Sequence, residues 1–461
     1  MHAIRLVAFA GMITVSLCMA RGSAGHDGPH AAGTQPQWPT HIYLPTPIPD
    51  RICTSFTGDP ATSFSVTWRT DTSVKNSRAE IALAEGGPGF TDKAQQIAGT
   101  SQTFKSNLGE AQYHQVDFEG LAPDTRYLYR VGSDKHWSEW IQFKTASDKS
   151  APFTFVYFGD AQNQIKSHWS RVVRQAFTDA SRAAFFLHAG DLVNSGASDA
   201  EWGEWYLANG FIPHSIPVIA APGNHEMVNV PVPNENQDGE EESKPKTVRQ
   251  VTPHWFATFA FPKNGPEKLH ETCYYIDYQG ARIVVLNSNQ DQEVQAKWLD
   301  DVLSAPGPRW KILAFHHPIY SSATGRDNKS LRDQWQPIFD RYQVDVVLQG
   351  HDHTYARSHP IKYRPGTLEE LNVPTGQQHQ DEGGTVYAVS VSGPKMYKLE
   401  PQPSMANWAT QTQLYQVIRI DGDRLTYRAM TATGDLYDEF ILQKRDGKPN
   451  ELVKSIQRAQ E

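Results

Sequence analysis

The period of the hydrophobic positions changes along the chain, and each change marks a different kind of structure. Between residues 51 and 147 apolar residues alternate with polar ones: "SFSVTWRT" places Phe64, Val66 and Trp68 on one face, and "TRYLYRV" does the same with Tyr127, Tyr129 and Val131. Short strands of this kind, separated by turn residues, predict an all-β sandwich. After "TASDKSAP" the strands become apolar runs alternating with helix-period segments, which predicts an α/β domain over 152–400, β-sheets flanked by helices. One helix is expected over 167–182, with Ser167 as N-cap and Trp169, Val172, Val173, Ala176, Phe177 and Ala180 on its apolar face. A second is expected over 330–342, with Leu331, Trp335, Ile338 and Phe339 on one side and a kink at Pro337. Residues 401–461 complete the α/β domain, with a hairpin across "IDGD" at 420–423, a strand through "EFILQK" and a short charged helix at the end.

Two segments fall outside these periods. Residues 25–50, rich in Pro, Gly and His, read as an extended linker, in which His26, Asp27 and His30 suit a solvated tail better than a metal site. The insertion 229–250, "NVPVPNENQDGEEESKPKTVRQ", reads as a mobile surface loop, with a lid over the strand ends as the alternative.

The N-terminus, "MHAIRLVAFAGMITVSLCMARGSAG", has a basic start, an apolar segment from Leu6 to Ala20 and then small residues. That segment is shorter than the ~20 residues needed to span a bilayer, so residues 1–24 are expected to be a secretory signal cleaved after Ala20 or Ala24, and the protein to be secreted, periplasmic or extracellular. Lipidation at Cys18 is disfavoured by the bulky Leu17 before it, and no later segment looks transmembrane. A length of 461 residues suggests two or three folding units, and a formal net charge of -8 excludes binding to nucleic acid through a general basic surface. Cys53 and Cys273 are left either as a bridge in an oxidising compartment or as two buried thiols.

The chemistry lies where the apolar runs stop. Five strands end in polar, metal-capable residues: "FTFVYFGDAQ" at Asp160, "AAFFLHAGDLVN" at Asp191, "IPVIAAPGNHE" at Asn224, "WKILAFHHP" at His316, and "VDVVLQGHDH" at His351 and His353. A single Gly-Asp after a strand is usually a turn, but five such endings converge on one crevice. Carboxylate, amide and imidazole donors without thiolate favour Fe, Mn or Zn, and six donors imply two ions sharing one carboxylate. Two ions roughly 3.5–4 Å apart can act as Lewis acids and acidify a bound water. Arg326 in "SSATGRDNKS" reads either as a bidentate phosphate clamp or as a solvated loop residue.

In order and spacing, "GDAQ", "GDLVN", "GNHE", "AFHHP" and "GHDHTYAR" resemble the five motif blocks of the calcineurin-like metallophosphoesterases, in their purple acid phosphatase branch. "GLAPDTRYLYRVG" also resembles a fibronectin type III corner, and "TSFTGDPATSFSVTWRT" that branch's N-terminal fibronectin-like domain. The resemblance implies Asp191 as the bridging ligand, Asp160 and His353 on the first ion, and Asn224, His316 and His351 on the second. His317 would then lie outside the ligand set. It makes His225 the catalytic histidine beside the substrate phosphate, with Glu226 orienting neighbours. Two positions depart from the branch: Asn194 replaces the tyrosine whose phenolate binds ferric iron, and Gln162 replaces a glycine or a ligand histidine. Either amide oxygen completes the first ion's shell, or water does. The expected function is hydrolysis of small-molecule phosphomonoesters. Phosphodiester or nucleotide hydrolysis, or a non-catalytic adhesion role, are the alternatives.

Overall fold

The computed structural model describes residues 36, 38–231, 247–371 and 381–456. The alternating N-terminal segments form two four-stranded antiparallel sheets. One has the order Asp50–Ser55, Phe64–Thr70, Gly109–Phe118, Thr100–Ser106, and the other Gln95–Ala98, Arg78–Leu83, Arg126–Gly132, Ile141–Lys144. Phe64, Val66 and Trp68 are buried between them, and Phe64 stacks on Phe118 and Phe143 with ring centroids 4.6 and 3.8 Å apart. The Tyr127 hydroxyl accepts from the Ala122 N–H at 2.8 Å, which fixes the corner before its strand.

Strand Phe64–Thr70 is nevertheless buried at every position, not on alternate ones. Its polar face is covered by the second domain, and the polar groups there find partners. Thr67 Oγ1 donates to the Thr258 carbonyl at 2.6 Å, Ser55 Oγ to that of Ala260 at 2.7 Å, and Arg51 and Arg69 both bond Asp199.

The second domain is built on two seven-stranded mixed sheets. The first runs Val218–Ala220, Phe186–His188, Phe153–Phe158, Leu414–Asp421, Arg424–Thr431, Leu436–Arg445, Lys448–Ser455, and its first three strands are parallel. The second runs Tyr274–Tyr278, Ala281–Val285, Trp310–Ala314, Val346–Gln349, Val386–Val389, Tyr355–Ser358, Met405–Ala409, with four parallel strands from Ala281 to Val389. Side chains of both sheets share one apolar core, and the Tyr157 hydroxyl of the first accepts from the Gln349 N–H of the second at 3.0 Å. The C-terminal ends of the parallel strands in both sheets therefore open on one edge.

Several expectations change. The first helix starts earlier, as a π-turn over Ile165–Trp169 leading into an α-helix over Ser170–Asp179, so Ser167 lies inside the first turn and Gln164, left-handed at φ 49°, is the cap. The reason is Ile165: it is buried, and with Trp169 and Val173 it extends the apolar stripe by a turn. The second helix runs over Lys329–Arg341 with Pro337 inside it, in line with the expected 330–342. The expected terminal helix is instead the strand Lys448–Ser455, paired with Leu436–Arg445 through an Asp446-Gly447 turn in which Gly447 has φ 64°. An Asp-Gly pair between strands favours that hairpin over a charged helix.

The linker is not free over its length either: Tyr43 is buried and its hydroxyl donates to Glu204 Oε1 at 3.3 Å, docking the chain on helix Asp199–Asn209. The ends of the 229–250 insertion form a hairpin, Met227–Pro231 against Thr247–Val251, rather than loop. Its tip, and with it the lid reading, lies outside the described residues, as do the expected signal segment and His26, Asp27 and His30. Cys53 and Cys273 are buried free thiols. Among the described residues no helix is long and apolar enough to cross a membrane.

Candidate metal centre

Asp160, Asp191 and Asn224 follow three neighbouring strands of the first sheet, whereas His316, His351 and His353 follow adjacent strands of the second. Hydrophobic burial of the strands thus carries six polar side chains to one point. The approach is close enough to explain two glycines: a Cβ on Gly223 would lie 2.1 Å from Asp191 Oδ1, and one on Gly350 would lie 2.3 Å from Asp160 Oδ1. Asp191, His351 and His353 have φ of 52°, 73° and 47°, a left-handed conformation that costs non-glycine residues roughly 1–3 kcal/mol each and tends to mark functional sites.

The side chains fall into two groups. In one, Asn224 Oδ1 lies 3.0 Å from His316 Nε2 and 2.9 Å from His351 Nδ1, the two imidazole nitrogens are 3.1 Å apart, and His316 Nε2 is 3.2 Å from Asp191 Oδ2. In the other, His353 Nε2 is 3.2 Å from Asp160 Oδ2, and Gln162 Nε2 is 3.0 Å from both His353 Nε2 and Asp191 Oδ2. Asp191 Oδ2 is common to both. Ligand atoms about 2.1 Å from an ion and at right angles to each other are about 3 Å apart, so these separations match the edges of coordination polyhedra. Asp160 Oδ2, Gln162 Oε1 and Asn194 Oδ1 are buried and have no hydrogen-bond partner among the described residues, as oxygens awaiting a cation would be. The donor set fits two metal ions.

The electrostatics are those of an uncompensated acidic pocket. Burial, reinforced by Asp191, pushes the Asp160 carboxyl up to about 7. Burial disfavours a charged His316, but the adjacent Asp191 outweighs it and pushes this imidazole up to about 9. Burial drives His351 and His353 well below the ordinary imidazole value, leaving their nitrogens free as donors to a metal.

Around the ligands stands a set of bracing residues. Each ligand imidazole is fixed by its other nitrogen or its loop: His316 Nδ1 meets the Ala189 carbonyl at 2.9 Å, His353 Nδ1 meets that of Lys395 at 3.0 Å, and the His351 N–H donates to Asp160 Oδ1 at 2.6 Å. Buried Glu226 accepts from the N–H groups of Asp191, Leu192, Val193 and Gly223 at 2.8–3.3 Å, which ties the Asp191 loop to the Asn224 loop. His225 Nδ1 donates to the Asn194 carbonyl at 2.5 Å, and its Nε2 lies 4.0 Å from Asp191 Oδ2.

Arg326 Nη1 is 3.3 Å from both the His351 carbonyl and Asp352 Oδ1, and its guanidinium lies over Tyr397 at 4.9 Å. His317 has a ligand atom within 4.8 Å of those of His316 and His351, while its Nδ1 meets Ser288 Oγ at 2.8 Å. Four residues not singled out from sequence also belong here. Tyr397 packs 4.5 Å from His353, Asp352 accepts from Ser321 and Ser322, Glu201 accepts from the N–H groups of Asn194 and Ser195, and Arg249 reaches the Asn224 carbonyl at 3.2 Å. Glu201, Arg249 and Tyr397 follow no apolar run, and Asp352, between the two histidines of "GHDH", bonds residues of another loop; the "HH" beside His316 did carry a local signal.

Residues 153–355 match the family of calcineurin-like phosphoesterases, which places this two-sheet site among the metallophosphoesterases. Residues 49–145 match the purple acid phosphatase N-terminal domain. Together the two matches give the chain the domain order of a purple acid phosphatase-like metallophosphoesterase. It is 26% identical over 394 residues to an uncharacterised protein of Mycobacterium tuberculosis, covering 76% of this chain and 70% of that protein. It is 28% identical over 284 residues to Fe(3+)-Zn(2+) purple acid phosphatase 12 of Arabidopsis thaliana, 58% of this chain and 56% of that protein. The structure of purple acid phosphatase PPD1 from yellow lupin seeds superposes with a TM-score of 0.68 at 20% identity, over 87% of this chain and 75% of that one.

Proposed function

We propose that the protein is a secreted phosphatase that hydrolyses small-molecule phosphomonoesters at a centre of two metal ions, drawn from Fe, Zn and Mn. The observation that carries this reading is the position of Asp191 Oδ2, shared by the two donor groups. Asp160, His353 and Asp191 would hold one ion, with the amide oxygens of Gln162 and Asn194 available to it. Asn224, His316, His351 and Asp191 would hold the other. When bound, such a pair supplies Lewis-acid polarisation of the phosphate and a water acidified towards neutrality.

The chain's own contribution is positional. Glu226 fixes the backbone on both sides of the centre, and buried strands exclude bulk water beneath it. His225 keeps its Nδ1 proton on the Asn194 carbonyl, so Nε2 faces the ligand cluster. With Nδ1–H so engaged, Nε2 is the ring atom placed to exchange a proton with a phosphate oxygen or leaving group. Arg326 is held behind the His351 loop. It would stabilise charge on the phosphate from there, or directly once released from Asp352. Export rests on the apolar segment Leu6–Ala20 and is tested by sequencing the N-terminus of the exported chain, expected after Ala20 or Ala24.

Hydrolysis of an aryl phosphate by metal-loaded wild type, Asp191→Asn and His351→Ala tests the assignment. Both variants should lose at least about 100-fold in kcat/KM, and equal activity in all three would sink it. Relative kcat/KM for aryl monoester and diester substrates decides between phosphomonoesterase and phosphodiesterase.

A further inference from the structure

Beside the donor groups lies a cleft of about 410 Å³, a size suited to a small organic molecule, with Asn224 and His317 at its inner end and Ser288, Asn289, Lys329 and Arg249 among its walls. It begins at one edge of the metal ligands and leads away from Asp160 and His353, which do not line it. In a phosphatase such a cleft receives the part of the substrate that leaves.

The charges on its walls are mostly cancelled. Lys329 is paired with Asp333, and Asp327 with Arg332 at 2.7 Å. Arg249 is different: among the described residues it has no carboxylate partner, and its one side-chain bond is from Nη2 to the Asn224 carbonyl at 3.2 Å. Its place on the rim is fixed from two directions. The hairpin pairs it with Asn229, and Gln290 Nε2 donates to its own carbonyl at 2.9 Å. These contacts fix the backbone of Arg249 and leave its exposed guanidinium, with most of its N–H groups unspent among the described residues, free to meet a planar oxyanion.

Building on the phosphatase reading, we propose that Arg249 and this cleft form a subsite for a second anionic group, a carboxylate or phosphate, on the leaving part of the substrate. The transferred phosphate would sit over the metal ligands while the second anion meets Arg249 across the cleft. The enzyme would then favour doubly anionic phosphate esters over those with neutral leaving groups.

Equilibrium binding tests this without turnover. Metal-loaded wild type, Arg249→Lys and Arg249→Ala are titrated calorimetrically with propylphosphonate, phosphonopropionate and propylene diphosphonate, and thermal unfolding confirms that the variants fold. Wild type should bind one or both of the doubly anionic compounds more tightly than propylphosphonate. That preference should fall about tenfold or more in Arg249→Ala and only partly in Arg249→Lys. Loss of preference for both identifies a general oxyanion subsite, and loss for the diphosphonate alone identifies a second-phosphate subsite. The proposal is overturned if wild type shows no preference, if the preference survives Arg249→Ala, or if all three ligands weaken equally. Aryl phosphate hydrolysis by the wild type, measured separately, reports on the phosphatase reading itself.

Discussion

Gly223 and Gly350 lack side chains at points where a Cβ would enter the space of Asp191 and Asp160, so the ligand geometry depends on residues that ligate nothing. Gly223→Ala should weaken metal binding about tenfold or more, with all six proposed ligands intact, because one carboxylate must move. Metal titration of the two proteins checks this, and unchanged affinity would show that the cluster tolerates displacement. Asn194 makes a spectroscopic claim. Iron-loaded wild type should lack the visible absorption of a tyrosinate on ferric iron, and Asn194→Tyr should gain it. A strong band in the wild type would point to Tyr397, whose ring packs against His353. The six principal donors were legible in the sequence because each breaks an apolar run at a strand end. Glu201, Arg249 and Tyr397 were not, because they lie outside the motifs and reach them only in the fold, and Asp352 was not, because its partners Ser321 and Ser322 belong to a separate loop.

At the scale of elements, helix Asp199–Asn209 connects the N-terminal sandwich to the metal loop. Its first residue, Asp199, is buried between Arg51 and Arg69. Burial opposes ionisation of this carboxyl, yet the two guanidinium groups hold it below the ordinary carboxylate value. Two residues on, Glu201 holds the backbone of Asn194, whose carbonyl orients His225. Asp199→Ala leaves the buried Arg51 without its carboxylate, while Arg69 keeps Asp50, and should cost about 3–5 kcal/mol of stability. Denaturant unfolding measures that cost, and a change within error would mean water replaces the carboxylate. Alternation in the sequence revealed the sandwich but not the polar residues of strand Phe64–Thr70 as buried, since the domain that covers them lies far along the chain. The terminal strand was misread because charged residues suit an edge strand as well as a helix, and the Asp446-Gly447 turn decided between them.

Among the described residues, four histidines outside the metal centre are buried in neutral form. Burial pushes His114, His254 and His359 down to about 4 and His188 to about 3, from an ordinary value of 6.5. The unfolded chain therefore binds more protons than the folded one between those values, so their contribution to stability is complete above 6.5 and is lost as the pH falls through that window. Each unit of displacement corresponds to about 1.4 kcal/mol, and His188, packed among Phe158, Trp169 and Trp205, has no hydrogen-bond partner among the described residues to soften the effect. The thermal midpoint should drop between pH 6.5 and 4, and His188→Phe should make that drop shallower. Parallel profiles for the two proteins would rule His188 out as a source of acid lability.

The central claim is that one carboxylate joins two donor groups into a site for a metal pair, and it is tested most directly by counting. Element analysis of the reconstituted protein, after removal of free ions, should find two metal ions per chain. One ion or fewer would contradict the account, because the donors grouped around Asp191 would then form at most a single site.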